Sequence, residues 1–138
     1  MRRQKAVSFW PADLLARTDV DRWMEWSKLN VVHAFTTPIF WRVVRTPADE
    51  RDLEAIKTAV NAFEQKLEIA EDRLARQRFL VGDDFSLADI QFGHVLFRYY
   101  DIRIDRKPPP NLSAYYARLK KRPAFREHVI VPYDELRS

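Results

Sequence analysis

After Thr46 the apolar residues Leu53, Ile56, Val60, Phe63, Leu67, Ala70 and Leu74 recur at alternating steps of three and four. That spacing lays a single apolar seam along one face of a helix. Thr46 reads as its N-cap and Pro47 as the first helical residue, where a missing N–H costs nothing. Asp49 and Glu50 face the positive end of the dipole. The pattern predicts a helix over 47–77.

Upstream, Asp13 can cap a long segment running to Arg45. At 100° per residue, Val20, Trp23, Met24, Ser27, Val31, Ala34 and Phe35 gather on one side. A second stripe collects Trp26, Leu29, His33, Phe40 and Val44. A helix with two apolar stripes touches two partners, and a small bundle covers one of them, so the second stripe is expected to face a neighbour. Pro38 removes a ladder hydrogen bond, which predicts a kink or break near Phe35 to Thr37.

The third segment opens with a capping box. Ser86 is placed to accept from the N–H of residue 89, the Asp89 carboxylate to reach back to the N–H of Ser86, and Phe85 to staple onto Ile90. From Leu87 to Phe97 the only formal charge is Asp89, so this helix is expected at the centre of the bundle. Pro108-Pro109-Pro110 forces an extended connection, and Asn111 reads as the cap of a helix carrying Leu112, Tyr115, Tyr116 and Leu119. Pro123 restarts a short helical turn. The result is an all-α bundle of about five helices, with residues 1–8 an N-terminal extension or linker remnant and 9–138 one helical domain.

Composition narrows the chemistry. The 138 residues include no cysteine, which removes disulfides, thiolate metal sites and a cysteine nucleophile. The formal charge of +4 arises from 24 basic and 20 acidic residues spread along the chain rather than from a basic arm. No apolar run reaches the ~18 residues of a membrane span and no signal peptide is readable, so a cytoplasmic protein without a membrane partner is expected. His33, His94 and His128 lie on separate segments with no His at i+3 or i+4, which gives no metal motif, and His94 reads as a core histidine. Gly82 and Gly93 belong to no phosphate-binding loop. The carboxylates Asp49-Glu50 and Asp83-Asp84 suit a helix start and a solvated loop. The basic residues from Arg103 to Lys107, and Arg118, Lys120, Lys121 and Arg122, read as solvated faces. No base-stacking aromatic pattern accompanies them, so nucleic acid is not an expected partner. No catalytic constellation is present.

Three blocks, in this order, resemble the C-terminal helical domain of cytosolic glutathione transferases. They are Trp23-Met24-Glu25-Trp26 in a long first helix, the stretch from Phe79 to Ile90, and Arg122-Pro123-Ala124-Phe125 near the end. The most specific part is Gly-x-x-x-Ser-x-x-Asp, Gly82 to Asp89; with Phe85, Ser86 and Ile90 it forms what in that family is a folding motif rather than a catalytic one. The resemblance covers about Phe9 to Val129. It implies a half-molecule that contributes one wall of the hydrophobic substrate site and much of a dimer interface for glutathione conjugation. The family's thioredoxin-like domain, which binds glutathione and supplies the catalytic side chain, is expected to be missing from this chain, a truncated or split transferase, inactive alone. By position, Val32, Phe35, Ile39 and Phe40 resemble the substrate wall, and Trp26, Leu29, His33 and Val44 become the expected interface. No cofactor is expected on the chain itself, glutathione being the family's co-substrate. The expected partner is a second copy or a separate thioredoxin-like domain. The alternative reading is a stand-alone protein–protein association module.

Overall fold

A computed structural model describes residues 9–138; the expected extension over 1–8 lies outside the described residues. Five helical rods and no strand occur among the described residues, as the apolar pattern predicts.

The first rod starts at helix α1, Leu14–Trp26, capped by Asp13, whose carboxylate accepts from the N–H of Ala16 at 2.9 Å. It continues as a π turn Ser27–Val32, a short helix α2 at His33–Phe35, a second π turn Thr36–Trp41, and a last α turn, α3, at Arg42–Val44. The chain therefore does not break at Pro38, which sits inside the second π turn. There the wider turn replaces the α-helical ladder that Pro38 would interrupt.

The two π turns set the phase of the rod. Its buried seam is Trp23, Ser27, Val31, Phe35, Ile39 and Val43, a strict repeat of four. Five turns of α-helix advance about 18 positions, while the five steps of this seam advance 20, from Trp23 to Val43. Each π turn absorbs one residue, rotating everything downstream by about 100°. Phe40 and Val44, placed on the outer stripe by constant 100° steps, are thereby carried into the core, with 0% and 2% exposure.

Helix α4 spans Leu53–Leu74 and buries Ile56, Val60, Phe63, Leu67, Ala70 and Leu74. Its start differs from the expected one. Asp52 is the cap, accepting from the N–H of Ala55, and Ala48–Glu50 form a separate 3₁₀ turn. Thr46 instead closes the rod, its hydroxyl donating to the carbonyl of Trp41. Leu53 consequently drops out of the seam and is 70% exposed.

Helix α5, Leu87–Asp101, is the buried centre, with Phe92, Gly93, Val95, Leu96, Phe97 and Tyr99 enclosed. Its capping box is present. Phe85 finds its ring neighbours in Phe9 and Phe79, while Ile90, the expected staple partner, lies exposed. The carbonyl of Phe9 accepts the N–H of Leu87, tying the entry of the domain to this first turn.

Helix α6 spans Pro110–Lys120, with Pro109 at the cap position and Pro110 first in the helix. Asn111 is thus inside the helix rather than its cap. The capping role falls to Glu71 of α4, whose carboxylate accepts from the backbone N–H groups of Asn111 and Leu112 and from the Asn111 side chain at 2.7–3.0 Å. Helix α7, Pro123–His128, packs Phe125 over Gly93, where an added Cβ would stand 2.7 Å from the Phe125 ring. The tail then returns to the rod. Tyr133 stacks edge-on against Phe40 at 5.2 Å, and the backbone N–H of Ser138 donates to the carbonyl of Val44.

Candidate functional site

The rod and α4 carry the surfaces that the sequence marks for function. On the outward face of the rod, Leu29 is 57% exposed, His33 is exposed, and Trp26 is half-buried. The Trp26 ring leans on Trp23 at 5.1 Å and on Phe92 at 5.5 Å, which fixes it at the edge of the core. Leu14 and Leu15, at the start of the rod, are 74% and 82% exposed. Val44 is not on this face, because the second π turn has rotated it inward beneath the returning tail.

Of the four residues expected to line a substrate wall, Val32 is half-buried and reaches the surface. Phe35, Ile39 and Phe40 are enclosed, at 1% exposure or less. Phe35 is held between the rings of Phe40 and Phe63, and the Arg98 guanidinium lies 4.7 Å over the Phe40 ring. These three residues stiffen the rod from behind and present no surface in this chain.

A groove of about 810 Å³ opens instead at the end of the rod, beside Val43. Its floor is Val43, Ile56, Val60 and Ile104, with Leu53 at the lip. One wall is the connection that holds Arg103–Lys107. That wall is positioned by Glu64, whose Oε1 accepts both the Tyr99 hydroxyl and the backbone N–H of Lys107 at 2.8 Å. The Arg106 guanidinium lies over the Tyr99 ring and donates to the carbonyl of Ile102. Arg51, Lys57 and Arg103 are on the rim. Such a groove can exclude water from an apolar group, and its size falls in the range of small-molecule sites. Sequence reasoning missed it, because Val43 and Ile104 approach only when the π turns and the Glu64 anchor are in place. The signal that was available is the repeat of four from Trp23 to Val43.

The polar groups of the interior are structural. Asp89 is fully buried and accepts from the N–H of Leu80 at 3.1 Å, the N–H of Ser86 at 2.8 Å and the Tyr115 hydroxyl at 2.7 Å. Burial pushes its carboxyl above the usual range, against the pull of those hydrogen bonds. All its acceptor capacity goes to joining the loop, α5 and α6, so it has none left for a substrate. Burial also pushes the His94 imidazole down, reinforced by the nearby Arg98 charge. Gly82 ends the preceding loop with φ of +77°, a conformation that favours glycine. Among the described residues no group of three or more histidines and carboxylates is placed to hold a metal ion, and no helix is long and apolar enough to cross a membrane.

With this geometry in view, the likeness to known proteins is specific. The sequence profile described as "Glutathione S-transferase, C-terminal domain" matches residues 48–118. Glutathione S-transferase GstB of Escherichia coli strain K12 is 28% identical over 123 residues, which take in 89% of this chain and 59% of GstB. The apo structure of the theta class glutathione S-transferase from Xanthomonas axonopodis pv. citri superposes with a TM-score of 0.85 at 36% identity, covering 89% of this chain and 65% of that one. Its glutathione-bound form gives 0.84 with the same identity and coverage. The chain thus spans about three-fifths of the length of these relatives.

Proposed function

Because the chain belongs to the glutathione S-transferase C-terminal domain family, we propose that it supplies the apolar-substrate wall and a subunit-facing surface for glutathione conjugation, beside a thioredoxin-like domain that binds the glutathione. The observation that carries this reading is the uncovered apolar surface of the rod. Leu14, Leu15 and Leu29 are more than half exposed in a chain that spans 59% of GstB. Burying apolar surface gains roughly 25 cal/mol per Å², so such a strip is well suited to lie against another domain or subunit. On this reading glutathione thiolate attacks an electrophile whose apolar part is gripped by Val32 and the groove beyond Val43, where water is excluded. Phe35, Ile39 and Phe40 hold that wall rigid. The thiolate and the group that stabilises it come from the glutathione-binding domain. The setting is cytoplasmic, and the neighbour is either a second copy or a thioredoxin-like domain.

The purified 138-residue chain should neither conjugate glutathione to an aromatic halide nor be retained on immobilised glutathione. Turnover by this chain alone would overturn the reading. Sedimentation at several concentrations should show self-association, and Leu29→Asp should abolish it while far-UV circular dichroism stays unchanged. The alternative, a docking module without catalytic purpose, draws on the same exposed Leu29 and His33. It is favoured if the rod surface binds a partner, and conjugation does not appear when a glutathione-binding domain of the family is supplied.

A further inference from the structure

A second concavity lies on the far side of the bundle, where the loop after α4 meets the α6–α7 junction. It encloses about 460 Å³ and is lined by Arg78, Arg118, Lys121 and Arg122, with Phe79, Pro123 and Ala124 between them. Four of its seven lining residues are cations and none is an acid. Asp83 and Asp84, exposed in the neighbouring loop, do not line it. Among the described residues none of the four cations takes part in an ion pair.

Basic residues at the end of α6 suit the helix dipole, and that alone explains Arg118 and Lys121. It does not explain Arg78, which arrives from a different element 40 positions away and is locked to them. The Arg118 guanidinium donates through Nε and Nη2 to the carbonyl of Arg78 at 3.2 and 2.7 Å. It also lies 6.0 Å over the Tyr115 ring. The Arg122 guanidinium sits 3.9 Å over the face of Phe85, and Arg78 sits 5.8 Å over Phe79. Three guanidinium groups are therefore held by rings and a carbonyl with their charge uncompensated. Holding like charges together in this way is unfavourable in the free chain, and a multivalent anion relieves it. The ordering that a ligand would otherwise have to impose on these side chains is already made.

We propose that this pocket binds a small ligand carrying several clustered phosphates, either inorganic polyphosphate or the triphosphate of a nucleotide. A single carboxylate would leave most of the charge unmet, and the volume suits a small molecule rather than a duplex. The apolar share of the lining is limited to Phe79, Pro123 and Ala124, so the phosphates carry the recognition. The site lies apart from the groove at Val43 and does not depend on the conjugation reading.

Calorimetric titration of the full chain with sodium tripolyphosphate at about 0.15 M salt, where exposed charges are largely screened, should give saturable one-to-one binding. The double variant Arg78→Ala, Lys121→Ala should weaken it at least tenfold. Both side chains are exposed and the Arg78 carbonyl that holds Arg118 is retained, so the fold should persist; Lys121→Glu alone, with an unchanged melting curve, gives a second reading of the same loss. The pair Lys28→Ala, Arg42→Ala, both exposed and lining neither concavity, removes equal charge elsewhere and should leave binding intact. ATP binding as tightly as tripolyphosphate assigns the site to phosphate alone, and tighter ATP binding adds the Phe79–Ala124 wall; either supports the proposal. It is overturned by the absence of saturable binding, by equal loss in the Lys28 and Arg42 control, or by a single-stranded oligonucleotide displacing tripolyphosphate at equal phosphate concentration, which would make the surface a nucleic-acid site.

Discussion

The Asp89 carboxylate joins three segments of chain through one buried side chain, and its neighbour Ser86 does much less. The Ser86 hydroxyl accepts from Ala88 at 3.3 Å, so Ser86→Ala removes a long cap bond and should cost about 1 kcal/mol. Asp89→Ala strands the N–H groups of Leu80 and Ser86 and the Tyr115 hydroxyl inside the core. Its cost should reach about 3 kcal/mol or more, and urea midpoints of the two variants separate these values. The pH dependence has a definite sign. Because burial raises the folded-state pKa of Asp89 above its ordinary value, the stability linked to its protonation is present at low pH and lost as pH rises through the folded value. The gap between the parent and Asp89→Asn should therefore widen as pH is lowered from 7 toward 4.5. Gly93 makes the opposite kind of demand. Alanine there would favour the helix by up to about 1 kcal/mol, yet its Cβ would meet Phe125 at 2.7 Å and Leu119 at 3.0 Å. Overpacking of this kind typically costs about 1–3 kcal/mol, so Gly93→Ala should lower the melting temperature.

The elements differ in how plainly their sequences announce them. The α5 boundary was legible because every bond of the capping box lies within four residues. The α4 seam was legible because its helix is regular from Ile56 to Leu74. The rod was legible as a helix but not in phase: nothing local to Ser27–Val32 or Thr36–Trp41 marks a π turn, and the sign lies in the repeat of four through Val31, Ile39 and Val43. Two misplaced residues, Phe40 and Val44, follow from that single error of period. The start of α6 was misread for a different reason. Its cap comes from Glu71, 40 residues earlier in the chain, and no local pattern encodes such a partner. Glu71→Ala should leave the N–H groups of Asn111 and Leu112 without acceptors and cost about 2 kcal/mol. Glu71→Gln should cost less, since one oxygen still accepts. Hydrogen exchange at the Asn111 and Leu112 amides should accelerate in the same order, which ties any loss to this helix end rather than to α4.

At the scale of the whole molecule the helical class followed from the seam and the boxes, while the groove and the basic pocket did not. Both concavities depend on how distant segments dock, one on Glu64 holding Lys107 and the other on Arg118 holding Arg78. The same docking can be read through the tyrosines, because all five lie where the bundle closes. Burial is the leading cause that pushes every one of them up. Tyr99 is further raised by its bond to Glu64, Tyr115 by Asp89 and Tyr133 by Asp101. Tyr100 is raised as well, and Tyr116 is pushed up to about 12. An unfolded phenol ionises near 10. Stability should accordingly be intact below pH 10 and be lost progressively as pH rises toward the folded values, since only the unfolded chain releases these protons in that window. Phenolate absorbance should stay low in the native protein at pH 10.5, reach about three-quarters of its full value in urea at the same pH, and rise in water only together with the loss of far-UV circular dichroism. Phenolate formation with a midpoint near 10 while the helical signal persists would show that Tyr99, Tyr115 and Tyr133 are not sealed by the tail and by α6. In that case the bundle would not close over the rod, and neither concavity would have fixed walls.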